Sequence, residues 1–226
     1  MSGEGPSTPD LASDRAEALR LVDVSRETLA RLDRFAALLL AWNDKTNLIA
    51  PSTVPRLWTR HIADSLQLLD IAFEVMPDDP LTWIDLGSGG GFPGVPIACA
   101  LVGRPGAQVL LVESNAKKAA FLREAARVTR ANIAVFDQRI DEFVRRFTGR
   151  PDVVTARAVA PLKVLLDQSF RLLKTGAIGL FPKGQDVEAE LTEAAKYWNI
   201  NHNLVPSRTD PTGRIVVVRS ARRRKP

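Results

Sequence analysis

Cysteine is nearly absent: Cys99 is the one cysteine, and the histidines are two, His61 and His202, far apart in the chain. A single cysteine excludes an internal disulfide framework and a CxxC redox pair. This ligand set is too sparse for a zinc site, so no metal is expected. No apolar run approaches the ~20 residues that a membrane-spanning helix needs, so no membrane partner is expected either. The opening "MSGEGPSTPDLASD" lacks an apolar h-region and does not read as a signal peptide. The expectation is a cytoplasmic monomer.

Excess charge is also missing from most of the chain. The net charge is +5, yet five basic residues, Arg219, Arg222, Arg223, Arg224 and Lys225, fall in the last eight positions. Without them the chain holds 26 basic and 26 acidic residues. The basic character is therefore local. Such a tail suits a polyanion such as RNA, and equally suits a solvated terminus.

Periodicity places the elements. Residues 1–14 are rich in Gly, Pro, Ser and Asp and read as a disordered tail. "SRETLARLDRFAALLLAWN" and "TRHIADSLQLLDIAF" carry apolar residues at helical spacing, with Ser25 a candidate N-cap. Residues 15–76 therefore read as a helical extension packed on the domain over 77–220. In that domain, strand and helix patterns alternate. "LTWIDL", "AQVLLVE", "NIAVFD", "PDVVTAR" and "AIGLFPK" read as strands, and "HNLVPS" and "RIVVVRS" as a closing antiparallel pair. Helices are expected from about Phe92 to Leu101 and over "DVEAELTEAAKYW", among others. The expected fold is α/β: a mostly parallel seven-stranded sheet with an antiparallel C-terminal strand, flanked by helices. Residues 221–226 form the basic tail.

The first strand runs into "GSGGGFPG", Gly87 to Gly94, with five glycines in eight positions. Two frames fit. Gly89, Gly91 and Gly94 make the G-x-G-x-x-G of a dinucleotide site. Asp85, Gly87, Gly89 and Gly91 make D-x-G-x-G-x-G, a pattern resembling the Rossmann-like S-adenosylmethionine-dependent methyltransferases. Glu113, at the end of the next strand, suits a ribose diol in either. The surroundings favour the second frame. The strand ends near Leu86, so Gly87 is the first residue able to turn. Pro93 removes an N–H that a pyrophosphate would want, and Phe92 adds an apolar ring. The dinucleotide frame keeps a nicotinamide-dependent oxidoreductase as the competing reading, and a non-catalytic RNA-binding module on the same fold is a third.

"DLGSGGGFPGVPIA" together with "WNDKTNLIA", "RHIADSL", "VESNAKKAAFLRE", "TARAVAPL" and "FPKG" resembles the bacterial small-subunit ribosomal RNA methyltransferase G family, also called glucose-inhibited division protein B. The resemblance covers roughly residues 25–218. It implies methyl transfer from S-adenosylmethionine to N7 of guanine 527 in the 530 loop of 16S rRNA, on the small subunit or an assembly intermediate. It also implies cofactor contacts at Gly87, Phe92, Ile140, Asp141 and Arg157, with Glu113 and Ser114 beside the ribose. Many relatives carry Glu at position 141; the Asp here shortens the reach toward the adenine edge.

Guanine N7 has a free lone pair and no proton to lose, so no general base is required. "TARAVAPL" lacks the Asn/Asp-Pro-Pro-aromatic motif of amino-group methyltransferases. Cys99 falls within a helix pattern, where a small buried residue is expected rather than a pyrimidine-attacking nucleophile. Arg157, at the end of the fourth strand, is a candidate for the cofactor carboxylate or the guanine edge, with a salt bridge to Asp85 or Glu113 as the plain alternative. Lys183 is a candidate phosphate contact, against a solvated loop lysine. Asp85 suits the cofactor amine or a cap for the glycine turn, and Asp141 an N-cap for the helix after it. His61 and Asp64, three apart, suggest structural pairing. Trp42 and Trp58 suggest core packing.

Overall fold

The sequence alternation builds a seven-stranded sheet in the order β3-β2-β1-β4-β5-β7-β6. The computed structural model describes residues 10–76 and 81–224. Strands β1 (Thr82–Leu86), β2 (Gln108–Val112), β3 (Ile133–Phe136), β4 (Val153–Thr155) and β5 (Ile178–Lys183) are parallel. β7 (Arg214–Arg223) runs antiparallel to β5 and to β6 (Trp198–Pro206). The expected architecture is the one observed.

Two apolar layers sandwich the sheet. Trp83, Val109, Leu111 and Val153 point to one face, against helices α2 (Arg26–Thr46), α3 (Asp64–Val75), α4 (Gly94–Leu101) and α5 (Ala116–Thr129). Ile84, Leu86, Leu110 and Val154 point to the other, against α6 (Ile140–Arg146), α7 (Leu162–Leu173) and α8 (Val187–Ala195). Side chains of a strand alternate between faces, so near-continuous apolar strands are what a doubly covered sheet requires.

Several boundaries differ from the sequence reading. Residues 1–9 lie outside the described residues, but α1 (Leu11–Leu21) begins inside the segment read as disordered, four residues before the expected helical extension. Its helix is held by one carboxylate. Asp14, 6% exposed, accepts the N–H groups of Trp58 at 2.7 Å and Thr59 at 3.2 Å, and the Thr59 hydroxyl at 2.5 Å. These donors open a π-helical turn, Trp58–Ala63, that comes after a 3-10 turn, Pro51–Arg56. A composition-based reading misses this because the partners of Asp14 lie more than 40 positions away. Asp14→Ala would leave two buried backbone N–H groups unsatisfied and the Thr59 hydroxyl with only the carbonyl of residue 14, at 3.4 Å. The expected loss is about 3 kcal/mol, read as a lower urea midpoint; an unchanged midpoint would show that water replaces the carboxylate.

At the other terminus, β7 continues to Arg223, so residues 221–223 are strand rather than tail; Lys225 and Pro226 lie outside the described residues. α8 stops at Ala195, and Trp198 turns inward to begin β6, packing on Phe170 at 5.0 Å. α4 starts at Gly94, after a cis Phe92–Pro93 bond. The predicted Ser25 cap is present, its hydroxyl accepting the Thr28 N–H at 3.1 Å. Trp58 is buried and Trp42 packs on Phe121 at 5.7 Å, as core residues.

Candidate active site

β1 ends at Leu86 and the chain must leave the sheet at once. Gly87, Gly89 and Gly91 take φ of +71°, +54° and +89°, values that side chains disfavour. The loop is pinned from both sides. Glu113, at the end of β2, accepts the Gly89 N–H at 2.9 Å and the Asn115 N–H at 2.8 Å. Asp85 lies beneath, accepting the Thr155 hydroxyl at 2.9 Å and the Gly94 N–H at 3.3 Å. Asp85 is 1% exposed, and burial raises its pKa to about 6 against the hydrogen bonds that lower it. Its carboxylate is occupied by the loop and does not line the cleft, so the capping role is the one the geometry supports, not contact with a cofactor amine.

The loop opens on a cleft of about 840 Å³ at the carboxyl ends of β1, β4 and β5. Gly87, Gly89, Phe92, Arg157 and Lys183 all line it, which brings five of the predicted residues together. Gly91 does not: a side chain there would meet Val95, Phe35 and Leu122, so this glycine serves packing. Gly94 packs too, since a Cβ would lie 2.2 Å from Leu111 Cδ2. Glu113, Ser114, Ile140 and Asp141 sit on neighbouring turns after β2 and β3, outside the cleft lining. Asp141 is within the first turn of α6 and pairs with Arg139 at 3.3 Å; Arg139 holds the N-cap position, so the N-cap reading of Asp141 is corrected.

The helical extension forms the opposite wall. Asn43 Oδ1 accepts the N–H groups of Leu48 and Ile49, both at 2.9 Å, and Asn47 takes φ +48°. That turn delivers Leu48 and Ile49 to the cleft, with Leu48 O 2.8 Å from where a Cβ on Gly90 would lie. Beyond them, Arg157 reaches across from β4. Its guanidinium donates to Asp64 at 3.2 Å, to the Arg60 carbonyl at 3.1 Å and to His61 Nδ1 at 2.7 Å, and lies 5.2 Å over the Phe92 ring. The partner is thus Asp64, not the Asp85 or Glu113 expected as the plain alternative. His61 and Asp64 share a face as their spacing suggests, but they meet through Arg157. The sequence carries no signal for this contact, which spans more than 90 positions.

A guanidinium cannot accept a hydrogen bond, so His61 Nδ1 must offer its lone pair. Nε2 then carries the proton and donates to Thr53 Oγ1 at 2.9 Å. Burial first, then Arg157 and Arg60, hold the His61 pKa down to about 3 from 6.5. The unfolded chain therefore binds a proton here that the folded chain refuses. The resulting stabilisation is complete above about pH 6.5 and is lost as pH falls toward 3. The stability difference between the wild type and His61→Gln is expected to grow from pH 4 to pH 6.5 and then level off in urea titrations. A difference independent of pH would refute the neutral, buried imidazole.

Lys183 is not a solvated loop residue. Its side chain is 9% exposed, and Nζ donates to the Ala160 carbonyl at 2.7 Å and pairs with Glu190 at 2.8 Å. Glu190 also accepts the Leu162 N–H at 2.5 Å. Cys99 is fully buried in α4, where burial pushes its pKa up to about 12, so it is a packing residue.

The start of α4 decides between the two glycine frames. A pyrophosphate needs free N–H groups at the N-terminus of that helix. Pro93 and Pro96 have none; the Gly94 N–H is held by Asp85; and those of Phe92 and Val95 are bonded to the carbonyls of Ser88 and Gly91. The Asp85 carboxylate would also repel a phosphate. A ligand without phosphate suits this loop.

Comparisons with known proteins agree. Residues 28–212 match the family described as rRNA small subunit methyltransferase G. Ribosomal RNA small subunit methyltransferase G of Bradyrhizobium sp. (strain ORS 278) is 59% identical over 215 residues, covering 95% of each chain. The protein of the same name from Bradyrhizobium sp. (strain BTAi1 / ATCC BAA-1182) is 60% identical over 208 residues, 92% of this chain and 91% of the other. In fold, the chain is similar to magnesium protoporphyrin IX methyltransferase from Synechocystis PCC 6803 with bound SAM, with a TM-score of 0.54 at 15% identity over 82% of this chain and 97% of that one. On the sequence match and the shared sheet, the chain belongs to the rRNA small subunit methyltransferase G family.

Proposed function

We propose that the protein transfers the methyl group of S-adenosylmethionine to N7 of guanine 527 in the 530 loop of 16S rRNA, acting on the small subunit or an assembly intermediate in the cytoplasm. One observation carries the choice of nitrogen. Every carboxylate and imidazole that lines the cleft is already bonded to a cation: His61 and Asp64 to Arg157, Asp210 to Arg60 at 3.0 Å, and Glu190 to Lys183. A site arranged this way is poorly equipped to remove a proton, and guanine N7 has none to give up.

The glycine loop fits the cofactor's methionine end, where close backbone approach is needed and phosphate is not. Glu113 uses two of its acceptor positions on backbone N–H groups, which leaves capacity for the ribose hydroxyls. Ser114, Ile140 and Asp141 extend the same edge toward the adenine. S-adenosylmethionine supplies a methyl group on a sulfonium; the protein supplies alignment. Arg157, held between two walls, fixes the Phe92 ring and presents positive charge at the end of β4. Lys183 steadies the Ala160 turn on which Arg157 depends.

The test uses tritiated S-adenosylmethionine with small subunits from cells lacking the enzyme, followed by borohydride and aniline cleavage at 7-methylguanosine. Label with a cut at guanine 527 is expected. Label without cleavage would refute N7, and absence of label would refute the activity.

A further inference from the structure

The basic C-terminal run does not border the cleft. β7 begins at Arg214, in register with Lys183 at the carboxyl end of β5, and runs back to Arg223. At about 3.3 Å per residue that strand carries Arg223 about 30 Å from Arg214 at the cleft, to the end of the sheet where the parallel strands begin. There β7 outruns β5: its last residues pair with β6 alone, Arg222 with Asn199 and Arg223 with Trp198, so a two-stranded ribbon projects past the sheet.

Other cations collect at the same end. Arg150 precedes β4, Arg171 and Lys174 close α7 before β5, and Arg219, Arg222 and Arg224 lie along β7 and just past its end. All six are exposed, and among the described residues none is ion-paired. Among the described carboxylates at this end, Asp152 accepts the Leu81 and Thr82 N–H groups, Asp167 pairs with Arg223 and Lys163, and Glu193 pairs with Lys196; Glu74, next to the Val75 carbonyl that Arg219 meets, is exposed and holds no cation. At the cleft, Arg60 and Arg208 each hold a carboxylate, while Lys118 and Arg214 hold none among the described residues. The guanidinium groups of Arg150, Arg171, Arg222 and Arg224, before β4, at the end of α7 and at the end of β7, keep their charge and their planar donor forks for phosphate, while Arg219 lends one N–H to the Val75 carbonyl at 3.4 Å.

We propose that this end of the sheet is a second RNA-binding surface, which takes the phosphate backbone of a ribosomal RNA segment about 30 Å from the cleft. The proposal rests on the function proposed above. It makes the tail a reader of the folded particle: an RNA that only fills the cleft does not reach it.

The triple variant Lys174→Ala/Arg222→Ala/Arg224→Ala tests it, beside the wild type, by salt titration of binding to small subunits from cells lacking the enzyme. The slope of log affinity against log salt is expected to fall by about 2 for the particle. Affinity for a short stem-loop carrying the guanine, and for S-adenosylhomocysteine, is expected to stay unchanged. An unchanged particle slope overturns the proposal, as does an equal loss on the stem-loop. Weaker binding to the particle with full affinity for protein-free 16S rRNA would assign the surface to a ribosomal protein and overturn it too. A wild type that binds S-adenosylhomocysteine yet neither binds nor methylates the particle would instead overturn the function reading.

Discussion

Arg157→Leu is expected to lower kcat/KM at least ~100-fold and to destabilise the fold by about 3 kcal/mol. Both effects come from one side chain doing two jobs. The guanidinium is largely withdrawn from water, with 17% of the side chain exposed, and burial pulls its pKa down while Asp64 pulls it up. It stays charged, because arginine does not deprotonate in proteins. Removing it strands the Asp64 carboxylate, 15% exposed, with only the Thr209 hydroxyl at 2.7 Å and the Gln67 amide at 2.8 Å. Those two bonds keep the loss below the cost of a fully orphaned charge. His61 also loses the donor that fixes its tautomer, and the Phe92 ring loses its cover. Arg157→Lys separates the two jobs. An ammonium restores charge opposite Asp64 and so much of the stability, but it cannot hold Asp64, His61 and the Arg60 carbonyl together, so the rate stays low. Urea midpoints and single-turnover rates measure the two. A lysine variant with wild-type turnover would show that charge alone suffices.

Gly87→Ala is expected to weaken S-adenosylhomocysteine binding at least tenfold. At φ +71° a Cβ costs about 1 kcal/mol in backbone strain, and here it would also lie 2.7 Å from Val159 Cγ2. Valine is stiff at χ1, so the contact is relieved by moving backbone rather than by turning a rotamer. The backbone in question is the turn after Arg157, where Ala158 already has φ +54°. The clash therefore spreads from the glycine loop to the arginine. Gly176→Ala is the control: φ is +103° but nothing lies within 4 Å, so stability falls a little and binding does not. The double variant Gly87→Ala/Val159→Ala should regain part of the lost affinity in fluorescence titrations. If it regains none, strain in the loop itself is the whole effect.

The sheet, its antiparallel end and the position of the glycine turn were legible in the sequence, because apolar strands alternating with amphipathic helices leave few other folds. Ser25 as a cap was legible for a similarly local reason. What escaped depends on tertiary contact. The helix at Leu11–Leu21 draws its anchor, Asp14, from a π turn far along the chain, and Arg157 draws its partner from the helical extension instead of from the sheet. Asp85 shows the limit most sharply. The D-x-G-x-G-x-G pattern points to it, but a carboxylate facing Thr155 across adjacent strands, with Gly94 above it, is closed inside the turn it shapes.

One apolar cluster runs from Ala18 and Leu39 in the extension through Ile62 and Leu68 to Trp83, Leu111 and Val217 in the sheet, and the Asp64–Arg157 pair closes over it. The helical segment and the catalytic sheet are therefore one cooperative folding unit, whatever the linear order of motifs suggests. Heating should give a single transition by both tryptophan fluorescence and circular dichroism. A chain severed near residue 78 should leave halves that recover S-adenosylhomocysteine binding only when refolded together.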